Sequence, residues 1–538
     1  MKPVSILLRQ GKKKEVWDKY CGFTSISVQE FMDIQYGLLM EQIDRLWESK
    51  LGRNILGESK PKSVDEFRKK TPLTKYEDYL PYLEDRNEDV LPDKVYIWAH
   101  TSGKSGEYKY KWVPYTKKMY EILGKTSFSV YIFSSARWKG DIRLEIGDRC
   151  LYTVAPPPYL SGILLDVSMD QFDFNLLPDP AKAKKMDFFD RIQEGTKTAL
   201  SEGIDFFFGI TSILIRISEQ LMNTKDIKKN RSLKKELFKL PIVMRLLKGK
   251  LKALLNGRQM LPKDLWNVKG IFCTGADTVI YKDKVKELWG MEPLEAYGST
   301  ELGDVANQSW NSAGLIFHPD NNFYEFIPVN DYYKMKNDAR FVPKTLLLNE
   351  LEEGEEYVLV GTNFHGGILT RYVTGDVIRI ISLIDEIHEI YTPQMVFSTR
   401  ADDIIDIGGF TRLSEKTLWL AIENLCIPYV DWIARKEYIN GDAFIHFYIE
   451  FKEKVENLNE LAEKLHSEIK ALDQPYAELE SITGMKPLYI TILKKGAFSR
   501  YIEKRRAEGA DLAHMKPNHI NPSDQAVETL LEMSNWKL

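Results

Sequence analysis

The sequence predicts an α/β protein of several domain-sized units, on three observations. The first hundred residues carry apolar side chains at helical spacing, the middle alternates strand-like with helix-like stretches, and the pattern changes abruptly after Arg400. A chain of 538 residues has room for roughly three or four units of about 150 residues. With 43% hydrophobic and 28% charged residues it has the composition of a folded globular chain, not a disordered one. The 74 Lys and Arg against 78 Asp and Glu leave a formal charge of −4, so no global field draws the chain to nucleic acid or anionic lipid. Function therefore sits in a local site.

Gln29, Phe31, Met32, Ile34, Leu38, Leu39, Ile43, Leu46 and Trp47 recur at helix-like spacing. Ser63 and Glu66 ahead of Phe67 predict a capping box opening a short helix. From Val95 to about Val154 the reading is strands broken by loops, ending in a short strand at Tyr152–Ala155 before Pro156-Pro157-Pro158. A basic segment from Lys225 to Arg258 holds twelve Lys and Arg against Asp226 and Glu236. Its leucines predict a pair of solvated helices packed on the domain; the sharper reading is a surface for polyanions, lipid or a partner. Strands are expected at Gly270–Thr274, Tyr357–Val360 and Val377–Ile381. Beyond Arg400, Val430–Glu437 and Phe444–Phe451 flank Asn440-Gly441, a hairpin signal, followed by a helix at Leu458–Ile469 and a strand at Leu488–Leu493.

Cys21, Cys150, Cys273 and Cys426 lie far apart with no CxxC spacing, which argues against a zinc knuckle and fits a reducing compartment. The apolar run at the N-terminus is too short for a signal peptide. The longest greasy stretch, around Ile204–Ile215, contains Asp205 and falls well below the roughly 20 residues of a bilayer span. A cytoplasmic protein without a transmembrane segment is expected.

Four constellations carry chemistry. Thr101-Ser102-Gly103-Lys104-Ser105-Gly106-Glu107-Tyr108-Lys109 is a loop whose backbone amides and hydroxyls suit phosphate oxygens. It is no Walker A loop, because the first glycine of that pattern would fall at Trp98. Glu295-Ala296-Tyr297-Gly298-Ser299-Thr300-Glu301 offers a flat ring for a base, hydroxyl donors, and a hard oxygen ligand for Mg²⁺ in Glu301. Arg371-Tyr372-Val373-Thr374-Gly375-Asp376 places a carboxylate after a glycine turn, where it can accept ribose hydroxyls. Ser398-Thr399-Arg400-Ala401-Asp402-Asp403 lies where the pattern changes and reads as a linker. Taken singly, each also has an ordinary reading: a surface or polar turn for the first three, favoured for the Asp376 motif, and an interdomain linker for the fourth.

In this order the four resemble the motifs of the adenylate-forming superfamily of acyl-CoA synthetases, amide synthetases and luciferase-like ligases. Finer features are similar to one branch, the GH3 acyl acid amido synthetases: Phe67 to Pro81, Asn322 to Pro328, Glu352 to Tyr357, Lys495 to Ile502, Glu508-Gly509-Ala510 and Met515-Lys516-Pro517. The resemblance runs from about residue 60 to 520; phenylacetate-CoA ligases share its front half. Two positions depart from the pattern, Lys104 where Thr is usual and Tyr108 where Pro is common.

The resemblance implies a large N-terminal adenylating domain, residues 1–399, with mixed sheets and a β-barrel-like part. A small mobile α+β C-terminal domain, residues 400–538, would follow. It implies that ATP activates a carboxylic acid as an acyl-adenylate, releasing pyrophosphate, and that the acyl group passes to an amine such as an amino acid; the alternative acceptor is the CoA thiol. Thr101, Ser102, Gly103, Ser105 and Lys109 would hold phosphates. Gly275, Ala276, Asp277 and Tyr297 would wall the adenine, and Gly298, Ser299 and Thr300 would also bind the nucleotide. Glu301 would bind Mg²⁺, Asp376 and Arg400 the ribose, and Asp402 would be the hinge. Lys516 would supply the cation at the α-phosphate and carboxylate, a task suited to a mobile point charge. His514 and His519 flank it and read as surface residues. Tyr159, Leu160 and Phe206-Phe207-Phe208 are acyl-pocket guesses, the three phenylalanines better read as core.

Overall fold

The computed structural model describes residues 1–100, 111–186, 188–222, 240–274, 278–338, 340–401, 404–407, 411–439, 442–473, 476–477, 487–508 and 515–535. The chain divides into two compact units. The first comprises Met1–Thr101, Trp112–Thr374 and Ile378–Phe397; the second comprises Ser102–Lys111, Gly375–Val377 and Ser398–Leu538.

The predicted N-terminal helix runs Val28–Glu48, with Phe31, Met32, Leu39, Ile43 and Leu46 buried. The sequence expectation placed a capping box at Ser63. There the Ser63 hydroxyl accepts from Glu66 N at 3.2 Å, but the Glu66 carboxylate turns to Lys62 N at 2.7 Å, so the reciprocal arm is missing. The complete box is at Ser27 and Glu30, where Ser27 Oγ takes Glu30 N at 3.2 Å and Glu30 takes Ser27 N at 2.7 Å.

Strand β1 (Val95–His100) pairs antiparallel with β2 (Trp112–Thr116). The stretch that follows, read from sequence as more strand, is instead a helix at Lys117–Ser135. Its β-branched and aromatic run Ser127–Phe133 favours a strand locally, but Thr116 caps the N-terminus, accepting from Met119 N at 3.1 Å. Burial of nearly every side chain from Leu123 onward then outweighs local propensity.

An eleven-stranded sheet forms the body of the first unit. Its strands are β3 (Arg149–Thr153), β4 (Asn175–Leu177), β5 (Phe206–Ile210), β6 (Gly270–Thr274), β7 (Leu294–Ser299), β8 (Gly303–Gln308), β9 (Leu315–Phe317), β10 (Asn322–Pro328), β11 (Glu356–Asn363), β12 (Tyr372–Ser382) and β13 (Gln394–Arg400). They lie in the order β10-β11-β12-β13-β9-β8-β7-β6-β5-β3-β4. From β4 to β7 neighbours run parallel. Beyond β7 the pairs β7–β8, β8–β9, β9–β13 and β10–β11 are antiparallel. Strand β7 is therefore the seam between two sheet types.

The parallel half is covered on both faces, as such sheets require. Phe206 and Phe208 point into a core with Phe128, Tyr131 and Phe272, while Phe207 points the other way, onto Leu151, Ile271 and Trp289. The three phenylalanines are core, as the sequence favoured.

In the second unit β14 (Ile404–Ile407) pairs with β15 (Thr411–Ser414). A three-stranded sheet joins β16 (Tyr429–Ile439), β17 (Asp442–Phe451) and β18 (Leu488–Ile492). Strands β16 and β17 form the predicted hairpin, their ladder closing at Ile439 and Asp442; its turn residues Asn440 and Gly441 lie outside the described residues. Trp432, Phe447, Leu418 and Leu465 fill the core between this sheet and the helices at Glu415–Asn424 and Leu458–Leu472. Among the described residues, no helix is long and apolar enough to cross a membrane.

Candidate active site

Ligands in sheets of this kind collect beyond the carboxyl ends of parallel strands, where strand order or direction switches. The seam strand β7 ends in Tyr297-Gly298-Ser299, and its parallel neighbour β6 ends one residue before Gly275. The sequence motifs thus fall where the topology favours a site. Gly275, Ala276 and Asp277 themselves lie outside the described residues, as do Thr101, Ser102, Gly103, Ser105, Lys109 and Asp402.

Tyr297 is 8% exposed, and its ring stacks at 5.9 Å on Phe397, with 27° between planes. Gly298 is needed for close approach: a Cβ there would lie 2.4 Å from the carbonyl oxygen of Gly303 on β8. Ser299 Oγ accepts from Leu302 N at 3.2 Å and holds the turn that carries Glu301. The Thr300 carbonyl accepts the Tyr115 hydroxyl at 2.8 Å, and the Glu301 carbonyl accepts Asn363 Nδ2 at 3.0 Å. This backbone is pinned from two sides.

The Glu301 carboxylate receives one long bond, from Tyr372 Oη to Oε1 at 3.3 Å; Oε2 accepts none from the described residues. Burial, and after it the Glu301 charge, push the Tyr76 and Tyr115 phenols well above the usual range. They stay neutral beside a carboxylate that keeps acceptor capacity, a donor set that fits a hard divalent cation.

Tyr372 belongs to the Arg371–Asp376 motif but has no role of its own in the sequence reading; it lies on β12, four residues before Asp376. An N-terminal segment supports this strand: Thr74 N donates to the Arg371 carbonyl and Val373 N to the Thr74 carbonyl, both at 2.9 Å. Arg371, buried and at φ 47°, forks onto Glu325, with Nε–Oε2 and Nη2–Oε1 both 2.9 Å. Its Nη1 donates to the carbonyls of Arg68 and Thr71, each at 2.6 Å. The Phe67–Pro81 stretch of the resemblance thus acts structurally, bracing the strand that carries Tyr372.

In the second unit, Asp376 is 8% exposed, with Arg400 Nε 3.4 Å from its Oδ1. Ala401 N donates to the Gly375 carbonyl at 2.7 Å. The two residues assigned to the ribose therefore meet, although they lie 24 positions apart in sequence.

Lys516 Nζ lies 2.7 Å from Asp431 Oδ2, with its side chain 62% exposed. The other Asp431 oxygen takes His519 Nε2 at 2.9 Å, and His519 Nδ1 meets Glu415 Oε1 at 2.7 Å. The His519 ring stacks on Trp432 at 4.6 Å. His519, expected at the surface, is thus a half-buried member of an ionic network; His514 lies outside the described residues. Burial alone would lower the His519 pKa, but bonds to Asp431 and Glu415 outweigh it and raise it to about 9. Burial alone would raise the Asp431 pKa, but the Lys516 charge and the His519 bond hold it well below the carboxylate range. Asp431, Glu415 and Phe397 carry no motif; only tertiary contact reveals them.

A pH dependence follows. Because the His519 pKa rises from its ordinary 6.5 to about 9 on folding, its contribution is full below pH 6.5 and is lost as pH rises through 9. That contribution is on the order of 3 kcal/mol. Thermal melts taken from about pH 6 to about pH 9.5 should show wild-type stability falling relative to His519→Gln. Parallel curves for the two proteins would remove His519 from the ionic network.

The fold is similar to those of a solved acyl acid amido synthetase and a solved CoA ligase. It superposes on the AtGH3.15 acyl acid amido synthetase in complex with 2,4-DB with a TM-score of 0.69 at 16% identity, over 96% of this chain and 95% of that one. The 2-hydroxyisobutyryl-CoA ligase in its postadenylation state follows at 0.61 and 12% identity, over 95% and 94%. More narrowly, two GH3 family models match parts of the chain: the family's N-terminal domain matches residues 27–143 and its central domain residues 315–400. The jasmonoyl-L-amino acid synthetase JAR4 of Nicotiana attenuata is 26% identical over 361 residues, 64% of this chain and 57% of that protein. The jasmonoyl-L-amino acid synthetase GH3.5 of Oryza sativa subsp. japonica is 26% identical over 228 residues, 40% of this chain and 38% of that protein. The matched stretch thus spans little more than half the length of the first of these relatives.

Proposed function

We propose that this chain is an AMP-forming ligase that activates a carboxylic acid with ATP and transfers the acyl group to an amine, forming an amide. The observation that carries this reading is the placement of Tyr297–Glu301 at the carboxyl end of the seam strand β7, in a chain that two GH3 family models match in part.

A carboxylate is a poor electrophile because its oxygen leaves badly. Attack of that oxygen on the α-phosphorus expels pyrophosphate and converts the acid into a mixed anhydride whose leaving group is AMP. The protein's task is to bring two anions together and to stabilise the charge gathering at phosphorus. Tyr297 offers a face to adenine. The Asp376 carboxylate, oriented by Arg400, accepts the ribose hydroxyls. Thr101, Ser102, Gly103, Ser105 and Lys109 take the phosphates, with Gly275, Ala276 and Asp277 beside the base. Glu301 would hold Mg²⁺, which when bound neutralises phosphate charge. Lys516 meets the developing charge at the α-phosphate, and Asp431 with His519 positions it. The second unit turns about Asp402 between adenylation and transfer. Attack of the amine nitrogen on the acyl carbonyl then expels AMP, and the nitrogen loses a proton. Four free cysteines, of which Cys21, Cys150 and Cys273 are buried, support a cytoplasmic setting.

The acceptor is an amino acid in this reading, because the plant relatives are named as amino acid synthetases. CoA is the competing acceptor, since a CoA ligase shares the fold. The test is mass spectrometry of products formed from a panel of carboxylic acids and ATP, with amino acids, other amines or CoA added in turn. Amides with amino acids are expected. A CoA thioester, with no amide from any amine, would overturn the amide assignment.

A further inference from the structure

Among the described residues, the helix Leu240–Leu255 is docked by one face only. Ile242, Gly249 and Ala253 are buried. A Cβ at Gly249 would lie 2.7 Å from Leu265 Cδ2, so the backbone there sits close against its neighbour. Arg245 Nη1 donates to the carbonyls of Ala199 and Leu200 at 2.6 and 2.7 Å, fixing the helix on its partner at Phe188–Glu202. The helix is therefore held, and its other face is presented.

That other face is apolar. Leu240, Met244, Leu247, Leu251, Leu254 and Leu255 recur at spacings of four and three and are 58–79% exposed. Scattered exposed apolar side chains are ordinary, but five leucines and a methionine in one stripe along about 24 Å of helix are not. Lys248 and Lys252 border the stripe on one side and Lys250 on the other, all three exposed. No Asp or Glu occurs from Leu240 to Arg258. The chain as a whole is slightly acidic, so this face is an oriented exception to its charge.

We propose that this face seats on an anionic membrane surface, the leucines entering the boundary between headgroups and acyl chains and the lysines meeting lipid phosphates and carboxylates. A straight apolar stripe with cations along both edges matches a flat interface that is apolar within and anionic at its rim. A protein groove would have to reproduce both features along the whole stripe. The attachment is peripheral and leaves the site at β7 in the aqueous phase.

The test is co-sedimentation of the full-length protein with phosphatidylcholine vesicles, with and without phosphatidylserine. The wild type should pellet with the serine-lipid vesicles and remain in the supernatant with phosphatidylcholine alone. Leu247→Glu combined with Leu251→Glu changes only exposed positions, so folding, checked by thermal melting, should be kept while binding falls at least about tenfold. Lys248→Glu, Lys250→Glu and Lys252→Glu together should reduce binding to the serine-lipid vesicles by a similar factor. Wild-type protein that stays in the supernatant, or binding that survives the leucine changes, would overturn the proposal. So would a dimer, detected by analytical ultracentrifugation, that the same leucine changes dissolve.

Discussion

Replacing Lys516 with alanine should lower acyl-adenylate formation by about 10²–10³-fold, the loss that follows removal of one preorganised charge donor. Affinity for ATP should change little, because in the proposed mechanism the nucleotide would be held by the Tyr297–Glu301 turn, by Asp376 with Arg400 and by the loop at 101–109. Stability should also change little, since the lysine side chain is 62% exposed and Asp431 keeps its bond to His519. The charge matters when the carboxylate oxygen approaches phosphorus. A synthetic acyl-adenylate bypasses that step, so transfer from it to the amine should survive better than the overall reaction. Asp431→Asn should cost less than Lys516→Ala, because it loosens the lysine without removing it. A Lys516→Ala enzyme turning over acid and ATP at the wild-type rate would make Lys516 an ordinary surface residue.

Glu325→Ala should destabilise the first unit by about 3–5 kcal/mol, the cost of stranding a buried cation. Glu325 is 1% exposed and Arg371 is 5% exposed. Both guanidinium contacts at 2.9 Å would vanish, and Arg68, with Nε 3.5 Å from the same carboxylate, would lose a partner. Water cannot readily replace them in that interior. The midpoint of denaturant unfolding, followed by tryptophan fluorescence, should drop markedly, with Glu325→Gln falling between. A change below about 1 kcal/mol would mean that the pair contributes little net stability.

Much of this was legible in the sequence because the signals were local. Helical spacing from Gln29 to Trp47 marked the first helix, and Asn440-Gly441 marked a hairpin whose ladder closes at Ile439 and Asp442. Motif order pointed to a family, and the topology put Tyr297–Glu301 at the end of a parallel strand beside an antiparallel one. What stayed hidden depended on contacts distant in sequence. The run Ser127–Phe133 reads as strand until the surrounding core is known, because a helix buried all round carries no amphipathic signature. Glu66 and Glu30 have the same spacing to a serine, yet only Glu30 closes its box; the neighbouring Lys62 amide decides the other. His519 looked solvated because Asp431 and Glu415, its partners, lie 88 and 104 positions away.

The claim beneath all of this is that a carboxylate oxygen attacks the α-phosphorus of ATP. It is tested most directly by supplying a competent acid labelled with heavy oxygen in its carboxylate, together with ATP and an amino acid, and examining the phosphorus products by mass spectrometry. One labelled oxygen should pass into AMP, with unlabelled pyrophosphate released, because the bond between acyl carbon and that oxygen breaks when the amine attacks. Label found in inorganic phosphate alongside ADP would mean that the acid is activated at the γ-phosphorus, and the adenylate account would be wrong.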